Sequence, residues 1–330
     1  MVTRRQVAKR ANVSEATVSN VINGKDCVSK DKVLRVREAI RELNYVPDQN
    51  ARTLVMGKSK HIGIAIYETT NPYHMELARC IESRATKHGY IVSLFMLDNN
   101  MHNKLDVIVQ HRLDGIINFM TNQYPDSFIE GLEHYGTVMV NFNEKVGSIF
   151  ENDYTDAMVE LLDRVYELGH RKVAYFSNAD ERGFAADSRG RAWLRHTEGR
   201  FERADVYYNH DFELRSDDIG KNLCEEMLAS GSDVTVVFCT NDLCAMGVIR
   251  TLKKAGLRVP EDISVIGCDD INIGQLYVPS LTTIRIDIRR QGEDIADQIM
   301  GEINGDLQKT KKIYPSKAVF RESLAAVKQK

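Results

Sequence analysis

The chain has 330 residues, 43% of them hydrophobic, enough for two or three domains with buried cores. No apolar run approaches ~18 residues and no apolar export segment opens the sequence, so a membrane-spanning helix is excluded and a soluble cytoplasmic protein is expected. The net charge of −3 hides an asymmetry: residues 1–60 hold 13 Lys/Arg against 6 Asp/Glu, net +7, and the remainder is net −10, so a polyanionic partner is expected for the head alone.

Thr3 is an oxygen-bearing cap ahead of a short basic helix over 4–11, whose Val7 and Ala11 share one face. Asn12 and Val13 make a tight turn. Ser14 then caps a second helix, with Glu15 in its first turn, where the macrodipole favours a negative charge. Val18, Val21 and Ile22 form the buried face of that helix, leaving Ser14, Glu15, Thr17, Ser19 and Asn20 outward. Two short helices joined by a turn, with small hydrogen-bonding residues at the start of the second, form a helix-turn-helix, whose second helix enters the DNA major groove. Ser29 caps a third helix over 30–44, with Val33, Val36, Ala39, Ile40 and Leu43 at helical spacing, and Pro47 stops it. These helices close a minimal core over 1–46. In a linker over 47–60, Gln49 to Met56 give one or two helical turns, too few to be stable alone, and Gly57 ends them.

From 61 to 330 short apolar, β-branched runs alternate with amphipathic segments. The expected strands are 62–67, 90–96, 115–120, 138–142, 173–177, 234–239 and 263–268, and the helices Met75–His88, Tyr154–Leu168, Asp218–Ser230 and Leu243–Ala255. Continuous apolar strands read as parallel strands covered on both faces, and the alternation as a doubly wound α/β body. The strands suffice for two lobes, split near 160, with a crossover near 282–290. A ligand in such a body lies between the lobes at the C-terminal strand ends. Arg189 follows the strand at 173–177 and its loop, Asn241 follows the strand at 234–239, and Asp269 ends the strand at 263–268. An Arg fork donates and an Asp accepts, so together they can hold vicinal diols, and a sugar is the expected ligand. The alternative is that Arg189 and Asp269 pair with each other or with other charges. Tyr73 and Phe212 are either stacking walls for a ring or core packing.

Enzymatic signatures are absent. There is no G-x-G-x-x-G, H-E-x-x-H or G-x-S-x-G, and Gly57-Lys58-Ser59 mimics the end of a P-loop, but Arg52 stands where its first glycine belongs. The nine histidines are scattered, and the six cysteines (27, 80, 224, 239, 244, 268) show no C-x-x-C spacing and read as buried thiols in a reducing cytosol. No enzyme, cofactor or metal is expected.

The segments VSEATVSNVING (13–24), ELNYVPDQNARTL (42–54), DGII (114–117), ELGHRKVAYF (167–176), TNDLCAMGVI (240–249), GLRVPEDISVIGCDD (256–270) and PSLTTIRIDIRRQG (279–292) resemble, in this order, the lactose/galactose repressor family of bacterial transcription regulators. The resemblance runs from about residue 3 to 324. It implies a helix-turn-helix domain plus hinge helix, followed by a two-lobed periplasmic-binding-protein-like α/β domain. It implies a homodimeric, nucleoid-associated regulator, most simply a repressor, whose affinity for a pseudo-palindromic double-stranded operator responds to a small-molecule effector, a sugar or sugar derivative. Two readings stay beside it: a regulator controlled by a protein coeffector, and a sugar-binding module without DNA function.

By the same resemblance Arg189 and Asp269 match the effector-clamping pair and Asn241 a recurrent effector contact. Trp193 matches a family aromatic expected in the core, and Ile286 replaces a polar residue that some relatives use on the ligand. Ser14, Glu15, Ala16, Thr17, Ser19 and Asn20 occupy base- and phosphate-reading positions. Many relatives carry Arg at the position of Asn20; Arg prefers guanine and Asn adenine, so adenine is expected in this half-site. Glu15 either accepts from cytosine N4 or only favours the helix start. Arg5, Asn23, Lys25 and Ser29 are expected phosphate contacts. Asn50, Ala51 and Leu54 lie in the hinge helix, where Leu54 would wedge between base pairs of the minor groove. No heptad repeat follows Leu324, so a tetramerising tail is not expected.

Overall fold

The computed structural model describes residues 2–22, 24, 26–46, 58–66, 70–97, 101–119, 125–142, 146–211 and 214–328. They fall into two compact units, Met1–Ser59 and Lys60–Lys330.

The first unit holds α1 (Arg4–Ala11), α2 (Glu15–Ile22) and α3 (Lys30–Glu42). Thr3 opens α1 with a reciprocal cap: the Gln6 N–H donates to its hydroxyl (3.4 Å), and its own N–H donates to Gln6 Oε1 (2.8 Å). Asn12 turns the chain in a left-handed conformation (φ 48°), and Ser14 Oγ accepts from the Thr17 N–H at 3.2 Å to start α2. Val7, Ala8, Ala11, Val18, Val36, Ala39 and Tyr45 are buried together, with Val21, Ile22, Ile40 and Leu43 leaning on them. Two details depart from the sequence reading. The third helix ends at Glu42 rather than Asn44, because Asn44 turns left-handed (φ 47°) and the Tyr45 N–H closes back on the Ile40 carbonyl at 3.0 Å. Ser29 holds the cap position of α3, but its hydroxyl makes no capping bond. The expected helical turns at 49–56, with Pro47 and Gly57 on either side, lie outside the described residues.

In the second unit, β1 (His61–Ile66), β2 (Ile91–Met96), β3 (Gly115–Asn118), β4 (Val138–Asn141), β5 (Ser148–Asp153) and β11 (Lys311–Pro315) make a parallel sheet in the order β11-β5-β4-β3-β1-β2. A second parallel sheet has β6 (Lys172–Ser177), β7 (Arg203–Tyr208), β8 (Val236–Cys239) and β9 (Ser264–Ile266) in the order β7-β6-β8-β9. Beside β9, whose Ile266 bridges to Thr282, β10 (Thr283–Arg285) pairs antiparallel with β12 (Lys317–Val319). All seven expected strands form. β2 departs from the reading as a strand covered on both faces: it is the sheet edge, and Ile91, Leu94 and Met96 are exposed. Strands β5, β7 and β11 escaped the sequence reading because strands near a sheet edge carry polar residues that break an apolar run.

The four expected helices are α4 (Pro72–Lys87), α7 (Thr155–Glu167), α10 (Ser216–Ala229) and α11 (Asp242–Lys254). Helix α4 starts three residues early because Asn71 caps it, accepting from the Tyr73 N–H at 3.0 Å, with Pro72 at the first helical position. Further helices are α5 (Met101–Gln110), α6 (Asp126–His134), α8 (Glu181–Ala186), α9 (Ser188–Thr197), α12 (Asn272–Leu276) and α13 (Ile288–Asn304). Helix α13 lies against α4 so closely that a Cβ on Gly292 would stand 2.6 Å from the Cys80 Cβ. Arg84 grips Asp297 across the same contact through two bonds of 2.8 and 2.9 Å.

The chain passes between the two sheets three times: after Asp153, between β10 and α13, and at Ser316 between β11 and β12. The last segment returns to the second lobe, where the Val265 N–H donates to the Ser323 carbonyl (2.9 Å) and the Val327 N–H to the Leu168 carbonyl (3.0 Å). Trp193 is fully buried there, edge-on to Tyr175 and Phe238. Five of the six cysteines are buried free thiols, and Cys27 is exposed.

Candidate functional site

The polar groups between the sheets collect at C-terminal strand ends. The break between α8 and α9 falls at Asp187, whose carboxylate caps α9 by accepting from the Arg189 N–H at 2.7 Å. The same carboxylate takes Arg189 Nε (2.9 Å) and Nη2 (2.7 Å) side by side, while Nη1 donates to the Thr240 carbonyl (2.6 Å). The ring of Tyr154 lies 5.0 Å from the guanidinium carbon. Burial opposes the charge on Arg189, but the Asp187 carboxylate outweighs it and holds the guanidinium firmly protonated. Burial likewise opposes ionisation of Asp187, and Arg189 overrides it, keeping that carboxyl below its usual range.

Asp269 follows β9 with a left-handed backbone (φ 118°), a strained conformation held by its N–H on the Ile284 carbonyl at 2.9 Å. Its buried carboxylate accepts from Asn71 Nδ2 at 3.4 Å, a bond from the cap of α4 in the first lobe to the end of β9 in the second. A second lobe-to-lobe bond runs from Ser188 Oγ to the Asn152 carbonyl at 3.1 Å. Beside it, Tyr73 donates to Gln291 Oε1 (3.2 Å) and accepts from Asn152 Nδ2 (2.9 Å), and Gln291 Nε2 closes the triangle on Asn152 Oδ1 (2.7 Å). Asn152 Nδ2 also reaches the Tyr154 hydroxyl (3.1 Å). Asp242, whose N–H donates to the Cys268 carbonyl (2.7 Å), accepts from Thr283 Oγ1 (2.5 Å) and the Ile271 N–H (2.9 Å); burial first, then the neighbouring Asp269, pushes its carboxyl well above the usual carboxylate range.

Of the residues named from sequence, Arg189, Asp269 and Tyr73 are thus gathered into one polar neighbourhood. Tyr73 is only 7% exposed and its ring belongs to the core. Asn241 stands differently: its Oδ1 caps α11 on the Cys244 N–H (2.9 Å) and its Nδ2 donates to Ser216 Oγ (2.9 Å), so a ligand contact through this amide must share or break one of these bonds. Trp193 and Ile286 are buried. Phe212 lies outside the described residues. Sequence reasoning passed over Asn71, Asn152, Tyr154, Asp187 and Gln291; the Asn71-Pro72 pair, a cap followed by a first-turn proline, was the one legible signal among them.

In the head, Arg5, Ser14, Glu15, Ala16 and Ser29 are exposed, and Thr17, Ser19 and Asn20 are half-buried along α2. Ser14 Oγ lies 2.9 Å from Thr17 Oγ1, pairing two hydroxyls at the helix start. Arg10 bridges to Glu42 at 2.6 Å, fixing α1 against the end of α3. Asn23, Lys25, Asn50, Ala51 and Leu54 lie outside the described residues. Among the described residues no cluster of metal-ligating side chains occurs and no helix is long and apolar enough to cross a membrane.

A helix-turn-helix unit followed by a two-sheet α/β unit with a cluster of polar side chains between its lobes defines the class of DNA-binding regulators with an effector domain. Residues 3–48 match the family of bacterial regulatory proteins, lacI family, and residues 162–324 the periplasmic binding protein-like domain. The chain is 32% identical over 342 residues to the HTH-type transcriptional repressor PurR of Erwinia tasmaniensis, covering 98% of this chain and 97% of the relative. A crystal structure of the lac repressor dimer bound to operator and the anti-inducer ONPF superposes with a TM-score of 0.82 at 27% identity, covering 98% of this chain and 99% of the other. A LacI family regulator from Enterococcus faecium with bound ribose superposes with a TM-score of 0.72 at 25% identity, over 81% of this chain and all of the other. The chain belongs to the lacI family of bacterial regulatory proteins. It is a DNA-binding transcriptional repressor and not an enzyme.

Proposed function

We propose that the repressor binds a pseudo-palindromic operator as a homodimer and that a small hydroxyl-bearing molecule, a sugar or sugar derivative, sets its operator affinity from the cleft between the lobes. The observation that carries this reading is the pair of lobe-to-lobe bonds, Asn71 to Asp269 and Ser188 to Asn152, set beside the paired guanidinium of Arg189. A ligand that takes over these polar groups changes which lobe angle is stable, and a differential of ~1–3 kcal/mol between two angles suffices to switch binding. The ribose held by the Enterococcus faecium regulator is consistent with a hydroxyl-bearing ligand here. In the head, Ser14, Glu15, Ala16, Thr17, Ser19 and Asn20 are assigned to the major groove and Arg5, Asn23, Lys25 and Ser29 to phosphates. Asn50, Ala51 and Leu54 are assigned to the minor groove at the operator centre.

The effector half is tested by a thermal-shift screen of the full chain against sugars, sugar phosphates and nucleobases, repeated with Arg189→Ala. A hit that the substitution abolishes supports the cleft; an intact melting transition that no compound moves overturns it and favours a protein coeffector. The DNA half is tested by selecting sites from a random pool with the wild type and Asn20→Arg. Adenine giving way to guanine at one position of each half-site is expected, and an unchanged preference removes Asn20 from base reading.

A further inference from the structure

We propose that Asp187 is a specificity-determining residue that makes the effector cleft accept uncharged ligands and reject anionic ones; this rests on the cleft being the effector site. A guanidinium offers five N–H donors in a planar fork. In this chain two of those of Arg189 go to Asp187 and one to the Thr240 carbonyl. The two that remain, one on each terminal nitrogen, belong to a pair whose net charge is zero. They suit a neutral acceptor, a hydroxyl or carbonyl oxygen, rather than a phosphate or carboxylate, whose charge the neutralised pair does not offset.

Asp187 is not easily pushed aside. Its Oδ1 also caps α9 on the Arg189 N–H at 2.7 Å, so its carboxylate is tied to backbone and side chain together. Asp269 adds a second buried carboxylate in the same neighbourhood, and among the described residues Arg285 and Arg321 both pair with Asp270. An incoming anion therefore meets a neutralised arginine and an acidic neighbour in a setting where like charges repel strongly.

The test uses the full chain with inorganic phosphate, glucose 6-phosphate and a neutral panel of ribose, glucose and lactose. Thermal shift and calorimetric titration are run on wild type, Asp187→Asn, Asp187→Ser, Arg189→Ala and the double variant Asp187→Asn/Arg189→Ala. Asparagine and serine both cap helices, so α9 retains its start while the charge goes. Phosphate bound elsewhere, in the DNA-binding head above all, is common to every variant, so the readout is the part that depends on Arg189. The expected result is no Arg189-dependent phosphate binding in the wild type and a gain of at least ~tenfold in affinity in Asp187→Asn or Asp187→Ser, lost in the double variant. Arg189-dependent phosphate binding by the wild type, or no gain in either folded single variant, overturns the proposal. The neutral panel judges the underlying reading separately: if no neutral compound binds while the phosphate gain appears, the charge assignment stands and the effector reading falls.

Discussion

At the level of single residues, the cleft is a study in carboxylates under different constraints. Arg189 holds the Asp187 carboxyl below its usual range, whereas burial first, then Asp269, pushes that of Asp242 well above it. A folded-state value raised above the ordinary aspartate value of about 3.9 means that the native state gains stability from the proton. That contribution is complete below the unfolded value and is lost as pH rises through the folded one. Asp242→Asn keeps an acceptor for the Ile271 N–H and can donate to Thr283 without carrying charge. It is expected to remove this loss: chemical denaturation from pH 5 to 9 should show wild-type stability declining relative to the variant. Parallel curves for the two proteins would show that Asp242 is ionised throughout. The sequence disclosed Arg189 and Asp269 because both follow apolar runs that mark strands, where this fold places ligands. It did not disclose Asp187 as the partner of Arg189, because a carboxylate two residues before an arginine is an ordinary surface pattern until a helix break turns it inward.

Among the elements, legibility followed burial. Continuous apolar runs gave the seven strands, and helical spacing gave α4, α7, α10 and α11, whereas β5 and the edge strands β7 and β11 had to be seen. The limits of α3 and α4 were shifted by backbone events, the left-handed Asn44 and the Asn71 cap, which residue patterns only hint at. The contact of α13 with α4 was invisible, since no pattern in either helix names its partner. It depends on Gly292: a methyl there would stand 2.6 Å from the Cys80 Cβ. Gly292→Ala should gain ~0.5–1 kcal/mol in helix propensity and lose more to overpacking, typically 1–3 kcal/mol. A net drop in Tm is therefore expected in calorimetry, and a Tm at or above the wild type would mean that the helices part freely.

For the whole molecule, the homodimer proposed above requires apolar surface to cover. Ile273, Leu276 and Val278 are 50%, 81% and 74% exposed in and just after α12, and Leu94 and Met96 project from the β2 edge. A charge placed in an apolar interface core costs several kcal/mol because it must be buried unpaired. Leu276→Glu is expected to shift sedimentation velocity from dimer to monomer at micromolar concentration, with operator affinity falling as the two heads are no longer linked. Unchanged sedimentation would remove this patch from the interface.

The order of the chain also bears on how the protein is made. Strand β11, the edge of the first sheet, and β12 with the tail that hydrogen-bonds to β9 and to Leu168 all come from the last twenty or so residues. The first sheet lacks its edge strand, and β10 its partner, until those residues leave the ribosome, whereas the three helices of the head lie within the first 59 residues. At ~5–20 residues per second the head therefore folds well before the body is finished. On the nascent chain a basic helix-turn-helix unit is therefore exposed before β11 and β12 exist to complete their pairings.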